Sequence, residues 1–571
     1  MLNKLNTKAG YNIITFLAIL IVTIFMFYWI GQKEGFHEDE IFSYGSSNYK
    51  WDNVFQASGK SDFLNRAIEQ YVIGDSIGST INNIQYYLAH QGEFGALAGE
   101  IQKNDKPVWK TSQDAIDYLT VSGDEIFNYF SVYYNQSRDV HPPLFYGLVH
   151  LVSSFALGMF SKYIIFIINL AFFILTCYYI RKIFILFNKK WLGILAILLY
   201  GLSMGAASTV IFLRMYSMIT FFSIAYLYLN LRILKNNFDI RRSDKWKLFG
   251  IVLLGFLTQY YFCIFALIVF IIMSIYMLMK KQYRIWGGYF LVHLLTAILG
   301  IVIFPASIYH IFFSYRGAGA VEGSMNIIEA IQFYGTRLCE AFSINNVLIF
   351  LLVALTIIAV IVRAIVKIVK KEKIAKLYQY ILITVPTLIY FIFVAKIAPD
   401  VEAKYAVRYV MPILPEIAII FVLALYRVFS NKNIGFVVTA SAVAIISING
   451  MITNEPKYLY RGYQNYLDIA EEYKDLNFVY AVDNAFTQLT SLPEFMVYNK
   501  SLILNMNYDK LDFLATDEEL QSQDKFVLTI KKWMNVEDTL NKILENSGFT
   551  EYELLLNQND DTQSVIYLVS R

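Results

Sequence analysis

Apolar runs close to the ~20 residues needed to span a bilayer recur along most of the chain, broken by short polar turns. The first, Tyr11 to Ile30, follows Lys4 and Lys8. It is long for the apolar core of a secretory leader and no small-residue cleavage site follows, so it reads as an uncleaved span. Basic clusters then fall at Arg181/Lys182/Lys189/Lys190, Arg232/Lys235/Arg241/Arg242, Lys280/Lys281/Arg284, Arg363 to Lys376 and Arg427/Lys432. Lysine and arginine concentrate in cytoplasmic loops. Placing every cluster on that side predicts eleven crossings, near residues 11–31, 163–182, 191–212, 215–232, 247–258, 261–280, 286–307, 344–364, 377–396, 410–428 and 434–452. A twelfth crossing at 143–160 would reverse the parity, so that run is expected to lie in or dip into the outer interface. The short span 247–258 requires a steep hairpin at Gln259–Tyr261.

Two polar regions fall outside on this count. In the loop from Gln32 to Asp139, the stretches Asp62–Val72, Asp75–His90 and Asp124–Gln136 have helical, amphipathic spacing. In the tail from Thr453 to Arg571, short apolar runs at Phe478–Val482, Ser501–Asn505, Phe526–Ile530 and Ser564–Val569 alternate with helical stretches at Tyr463–Tyr473 and Val536–Glu545. That alternation predicts a small α/β layer domain. The expected architecture is an all-α polytopic membrane bundle over 1–452, including loop 32–139 and interfacial helix 143–160, followed by an extracytoplasmic α/β domain over 453–571.

Composition narrows the function classes. With 57% hydrophobic and 16% charged residues over 571 positions, the chain is far more apolar than soluble proteins, which excludes a soluble multidomain enzyme. The 48 basic and 45 acidic residues leave a net charge of +3, so no global field argues for nucleic acid. Cys177, Cys263 and Cys339 are too scattered to indicate a disulfide framework or a thiolate metal site. The 43 Tyr and 45 Phe suit extensive interfacial surface. Of the ionisable groups, only Glu416 and His293 sit well inside an apolar run, whereas Asp39, Glu40, Asp139, Arg214, Arg316, Asp400, Glu402, Lys404 and Arg408 gather at outer ends. A charge at mid-bilayer costs at least ~2.5–3.5 kcal/mol and usually marks an ion path. The scarcity of such groups counts against an ion-coupled transporter.

Four local patterns carry candidate chemistry. His37-Glu38-Asp39-Glu40 directly follows the first span; it fits either a solvated acidic run or a carboxylate held at the membrane surface as a general base. Arg138-Asp139-Val140-His141-Pro142-Pro143-Leu144-Phe145-Tyr146 fits either an ordinary helix start after paired prolines or a site that presents Asp139 and His141. Phe212-Leu213-Arg214-Met215-Tyr216-Ser217 sets a cation and a phenol at an outer helix turn, as snorkelling anchors also would. Lys404-Tyr405-Ala406-Val407-Arg408-Tyr409, running into Pro412 and Pro415, spaces two cations as a phosphate clamp or as interface anchors.

In order and spacing, the four patterns together resemble the GT-C membrane glycosyltransferases, in the branch of the protein O-mannosyltransferases and bacterial aminoarabinose transferases. The shared features are Asp-Glu after the first span, a long outer loop closing on Asp-x-His-Pro-Pro-Leu-x-Tyr, then Arg-x-Tyr-Ser and a late Arg-Tyr-x-x-Pro, over residues 10–450. Gln259 departs from the pattern, since relatives often carry histidine there, and the outer tail is not a feature of every member.

The resemblance implies transfer of a sugar from a polyprenyl-phosphate carrier, usually with inversion, on the extracytoplasmic face. It implies Asp39 as base and Glu40 as a supporting or acceptor-orienting acid. Arg214, Lys404 and Arg408 would hold the donor phosphate, Tyr216, Tyr261 and Tyr409 would contact phosphate or sugar, and Asp139 and His141 would shape the pocket. No cofactor is expected. A divalent ion at His37, Asp39 and His141 is chemically conceivable, but the matching branch generally needs none. The expected partners are the bilayer, the polyprenyl-phosphate-linked donor and an acceptor that is a lipid, glycan, cell-wall polymer or protein. Richness in Lys, Asn, Ile and Tyr points to an AT-rich bacterial genome and so to undecaprenyl phosphate as carrier. The competing classes are a lipid-carrier flippase and a non-catalytic assembly or sensor protein.

Overall fold

The computed structural model describes residues 8–51, 55, 67–90, 93–94, 97, 107–312, 325–369, 377–398, 403–483, 487–507 and 510–571. They form two compact units. The first comprises residues up to Gln32, Gln136–Leu148 and Lys162–Tyr458; the second comprises Lys33–Asn135, Val149–Ser161 and Leu459–Arg571.

The first unit is a helical bundle. Eight of its described helices are long and apolar enough to cross a membrane: Lys8–Gly31, Lys162–Leu186, Tyr216–Lys235, Tyr261–Met279, Tyr283–Ile303, Leu377–Ile397, Met411–Val428 and Lys432–Thr453. A ninth candidate is the pair Lys190–Gly201 and Met204–Ile211, bent by 64°. The bend has a local cause, because Ser203 interrupts the helix and its hydroxyl accepts from the Ala206 amide at 3.1 Å, capping the second arm. The other two expected spans are helical as well, at Arg242–Phe256 and Val347–Val369. A short turn, residues 257–260, separates helix Arg242–Phe256 from helix Tyr261–Met279. Helix Leu144–Phe155 has only 12 residues, about 18 Å at 1.5 Å per residue, which is too short to cross a bilayer. Large apolar side chains such as Phe16, Ile24, Leu267 and Val302 stay exposed, the signature of a bundle solvated by lipid.

Some polar groups inside the bundle bridge helices. His293 lies 2.8 Å from the Tyr226 hydroxyl through Nε2 and 2.8 Å from the Tyr289 carbonyl through Nδ1, while the Tyr289 hydroxyl donates to Asn230 at 2.8 Å. Such side-chain bonds join helices in an apolar medium, so His293 is held as interhelical glue.

The second unit is an α/β layer around a six-stranded sheet of order β1-β3-β2-β4-β6-β5. The strands are β1 (Lys110–Thr111), β2 (Asn477–Val482), β3 (Lys500–Asn505), β4 (Lys525–Lys531), β5 (Glu551–Asn557) and β6 (Ser564–Ser570). Strands β3, β2 and β4 run parallel, and the other pairings are antiparallel. Their apolar side chains, among them Val479, Leu502, Leu504, Phe526, Leu528 and Ile530, pack with Leu540 and Ile543 of helix Val536–Ser547. All four strands expected in the tail are present. The polar loop also reaches the sheet, since Lys110 pairs with Ser501 and Thr111 with Lys500, so loop and tail build one unit.

Of the loop helices expected from spacing, Asp75–His90 corresponds to helix Ile77–Ala89 and Asp124–Gln136 to Tyr129–Ser137. The stretch Asp62–Val72 lies partly outside the described residues, as do Arg316, Asp400 and Glu402.

Candidate active site

The candidate residues form two constellations, one in each unit. In the second unit, the run after the first span is a helix start. Helix Glu38–Asn48 opens with Glu38, Asp39 and Glu40 in its first turn, where the unpaired amides of a helix favour negative charge. His37 is the N-cap: its Nδ1 accepts from the Asp39 amide at 3.0 Å, and Glu40 Oε2 accepts from the His37 amide at 2.7 Å. This is a capping box with an imidazole in the place of the usual hydroxyl. Glu40 Oε2 also accepts from Lys33 Nζ at 2.9 Å, and both side chains of that pair are fully buried. Burial lowers the pKa of the Lys33 ammonium, opposed by the charges of Glu40 and Asp561. Asp39 Oδ2 lies 3.7 Å from His37 Nδ1 and keeps a little exposure. The helix body is fixed by Tyr44, whose hydroxyl donates to the Ser161 carbonyl at 2.7 Å, and by Asn48, which donates to the Leu119 carbonyl at 2.8 Å.

In the first unit, the paired prolines set the chain before helix Leu144–Phe155, and the Leu144 amide donates to the Leu257 carbonyl at 3.0 Å. The segment ahead of them presents Asp139 and His141. Asp139 Oδ2 lies 2.6 Å from His141 Nδ1, and His141 Nε2 lies 3.3 Å from Arg214 Nη2. Arg214 Nη1 donates to the Tyr146 hydroxyl at 3.1 Å. An arginine cannot accept, so the contact at Nε2 requires a lone pair there and a proton on Nδ1, the tautomer that Asp139 favours. Asp139, His141, Arg214 and Tyr146 thus form one chain of polar contacts that places a guanidinium, 2% exposed, at the break between helices Met204–Ile211 and Tyr216–Lys235.

Beside it, the Tyr260 hydroxyl meets His310 Nδ1 at 3.0 Å, and His310 Nε2 lies 3.3 Å from the Ser137 carbonyl. Burial lowers the His310 pKa and raises that of Tyr260, with the Asp139 charge acting on both. His310, which meets the residue after Gln259, belongs to helix Ala306–Phe312.

The late cationic motif folds into short 3₁₀ turns, Ala406–Tyr409 and Met411–Ile413, before the proline-opened helix Leu414–Val428. Lys404 and Arg408 are half-buried, over the rings of Tyr405 at 4.7 Å and Tyr409 at 5.2 Å. Tyr405 stacks on Tyr458, Tyr458 on Phe212 at 3.8 Å, and Phe212 on Tyr216. Tyr261 meets Tyr409 edge-on at 5.7 Å. Stacked rings thus link Lys404 to Tyr216, and Tyr409 links Arg408 to Tyr261, within the unit that also holds Arg214.

Sequence reasoning passed over Lys33, Tyr260 and His310. Lys33 looks like a common interfacial anchor, and its only sequence signal is that it precedes a capping-box motif. His310 carries no spacing signal at all, because its partner is distant in the chain.

The fold, a polytopic helical bundle and a small sheet-containing unit, is shared with solved structures. Among solved structures, ArnT from Cupriavidus metallidurans bound to undecaprenyl phosphate superposes with a TM-score of 0.50 at 11% sequence identity, covering 98% of each chain. ArnT from the same organism in the apo state gives 0.45 at 12% identity, over 75% of this chain and 87% of that one. No protein-family model and no curated protein sequence matches the chain.

Proposed function

We propose that this multi-pass membrane protein is a glycosyltransferase that moves a sugar from a polyprenyl-phosphate donor to an acceptor hydroxyl on the extracytoplasmic face, with inversion. The observation that carries the reading is a fold shared over 98% of both chains with ArnT, a protein solved bound to undecaprenyl phosphate. The kinds of charged residue present support it. Asp39 takes the acceptor proton while the acceptor oxygen forms its bond to the anomeric carbon, and the bond from that carbon to the phosphate oxygen breaks on the opposite face. The departing phosphate carries the electron pair away as an anion, so it needs cations more than a general acid. Arg214, Lys404 and Arg408 supply them, and Tyr216, Tyr261 and Tyr409 contact phosphate or sugar. Asp139 and His141 orient Arg214 through the contacts above. Residues 1–452 hold the lipid-linked donor and 453–571 form the extracytoplasmic domain.

The test is a panel of undecaprenyl-phosphate hexoses and pentoses given to the purified protein in proteoliposomes. Release of undecaprenyl phosphate with transfer of the sugar supports the proposal. Movement of an intact donor between leaflets without cleavage would identify a flippase instead.

A further inference from the structure

The acidic helix start is held from an unexpected direction. The Glu34 amide donates to the Leu459 carbonyl at 2.9 Å, and Glu34 Oε2 accepts from the Gly462 amide at 2.6 Å, a two-way tie between residues more than four hundred positions apart. Gly35 lies directly against the same segment: a Cβ there would come within 2.7 Å of the Tyr463 ring and 2.9 Å of Tyr460 Cβ. Tyr460 adopts φ of 52° and Gly462 of 85°, left-handed conformations that a bulky residue holds only where its surroundings enforce them. Here the surroundings do enforce them. The Gly462 carbonyl accepts from Gln558 at 2.6 Å, and the Tyr463 hydroxyl lies 3.1 Å from the Thr490 carbonyl and 3.2 Å from a Glu494 carboxyl oxygen, sharing its one proton between them. Lys33 Nζ sits 5.5 Å from the Tyr460 ring centre and 2.9 Å from Glu40, and Glu40 closes the capping box that sets Asp39. Segment 459–463 is thus fastened to the sheet-bearing part of the unit at one end and to the acidic turn at the other.

We propose that segment Leu459–Tyr463, acting through Lys33, Glu34 and Glu40, is a positioning device for Asp39, so that the C-terminal α/β domain is a working part of the site. This role rests on the glycosyltransferase reading for its consequence in catalysis, but the mechanical coupling itself does not. Within the turn, Lys33 neutralises a buried carboxylate whose geometric task is to accept from the His37 amide. Removing one member of a buried pair leaves the other uncompensated, whereas removing both charges together can be nearly neutral. A glutamine at 40 retains an oxygen for the His37 amide.

Two measurements on the full-length protein test the proposal. The first is hydrogen exchange followed by mass spectrometry. Gly462→Ala, which forces a Cβ to within 2.9 Å of Gln558, is expected to speed exchange in the peptide covering residues 33–41 by about tenfold or more. Faster exchange confined to 459–466 would overturn the coupling. The second is donor cleavage with the undecaprenyl-phosphate sugar that the wild-type protein accepts. Lys33→Met should lose most activity, and Lys33→Met/Glu40→Gln should regain about tenfold over the single variant. A double variant no more active than Lys33→Met would mean that the lysine charge itself serves the substrate, and would refute the positioning role. Should the wild-type protein cleave no donor, the glycosyltransferase reading fails while the exchange experiment still decides the coupling.

Discussion

Replacing Asp139 by asparagine should lower kcat/KM for the donor by about tenfold while leaving the protein folded. Asp139 Oδ2 lies 2.6 Å from His141 Nδ1, and the two side chains are 13% and 7% exposed, so water screens the contact weakly. A hydrogen bond to a charged group is worth about 1.5–3 kcal/mol and a neutral one about 0.5–1.5 kcal/mol. Asparagine still offers an oxygen to the imidazole, so the loss is the difference, about 1–1.5 kcal/mol, and 1.4 kcal/mol is tenfold in rate. The effect reaches chemistry through Arg214, whose Nη2 faces His141 Nε2 at 3.3 Å. A less firmly fixed tautomer leaves the guanidinium less firmly aimed. Steady-state cleavage of the undecaprenyl-phosphate donor, corrected for folded protein by size exclusion and thermal melting, measures this loss. Unchanged kcat/KM would refute the orienting chain. A fall of ~10² or more would also refute it, because that is the scale of removing a general base, and Asp139 would then be the residue that takes the proton.

Three further outcomes are expected. Arg408, half-buried over Tyr409, should lose roughly 1.5–3 kcal/mol of donor binding or rate as Arg408→Ala and recover only part of it as Arg408→Lys; equal, undiminished specific activity per folded molecule in both would make it an interface anchor. Burial pushes the Glu494 carboxyl from 4.5 up to about 7 against the attraction of Lys531. The folded protein therefore keeps a proton that the unfolded chain has released, and the stability of the α/β unit should fall as pH rises through that window. Unfolding curves of Glu494→Gln should show a flatter dependence there, and an unaltered slope would contradict the assignment. Protease added to intact spheroplasts should remove a tag placed after Arg571, since one span follows the basic cluster at Arg427/Lys432; a protected tag would reverse the topology and with it the outward-facing site.

Much of this fold is written in local patterns. Apolar runs locate the membrane helices because lipid demands continuous apolar surface, and four tail strands show as short apolar runs because they are buried along nearly their whole length. Strands β1 and β5 escape notice for opposite reasons. Lys110–Thr111 is too short to carry a pattern and exists only through pairing with β3, while β5 is an exposed edge with a bulge at Leu554/Leu556. The acidic motif is legible as chemistry but not as a capped helix, because histidine is an unusual N-cap. Its anchors, Lys33 aside, come from Leu459–Tyr463, and long-range contacts of this kind leave no periodic trace.

Single-turnover cleavage of an undecaprenyl-phosphate sugar by the purified protein in nanodiscs, with wild type and Asp39→Asn side by side, bears most directly on the central claim. The exchange keeps the size and hydrogen-bonding capacity of the side chain and removes its basicity. The account predicts release of undecaprenyl phosphate and an inverted product from wild type, and a rate at least ~10² slower from a well-folded Asp39→Asn. Near-normal turnover by that variant, or a donor that wild type leaves intact, would contradict it.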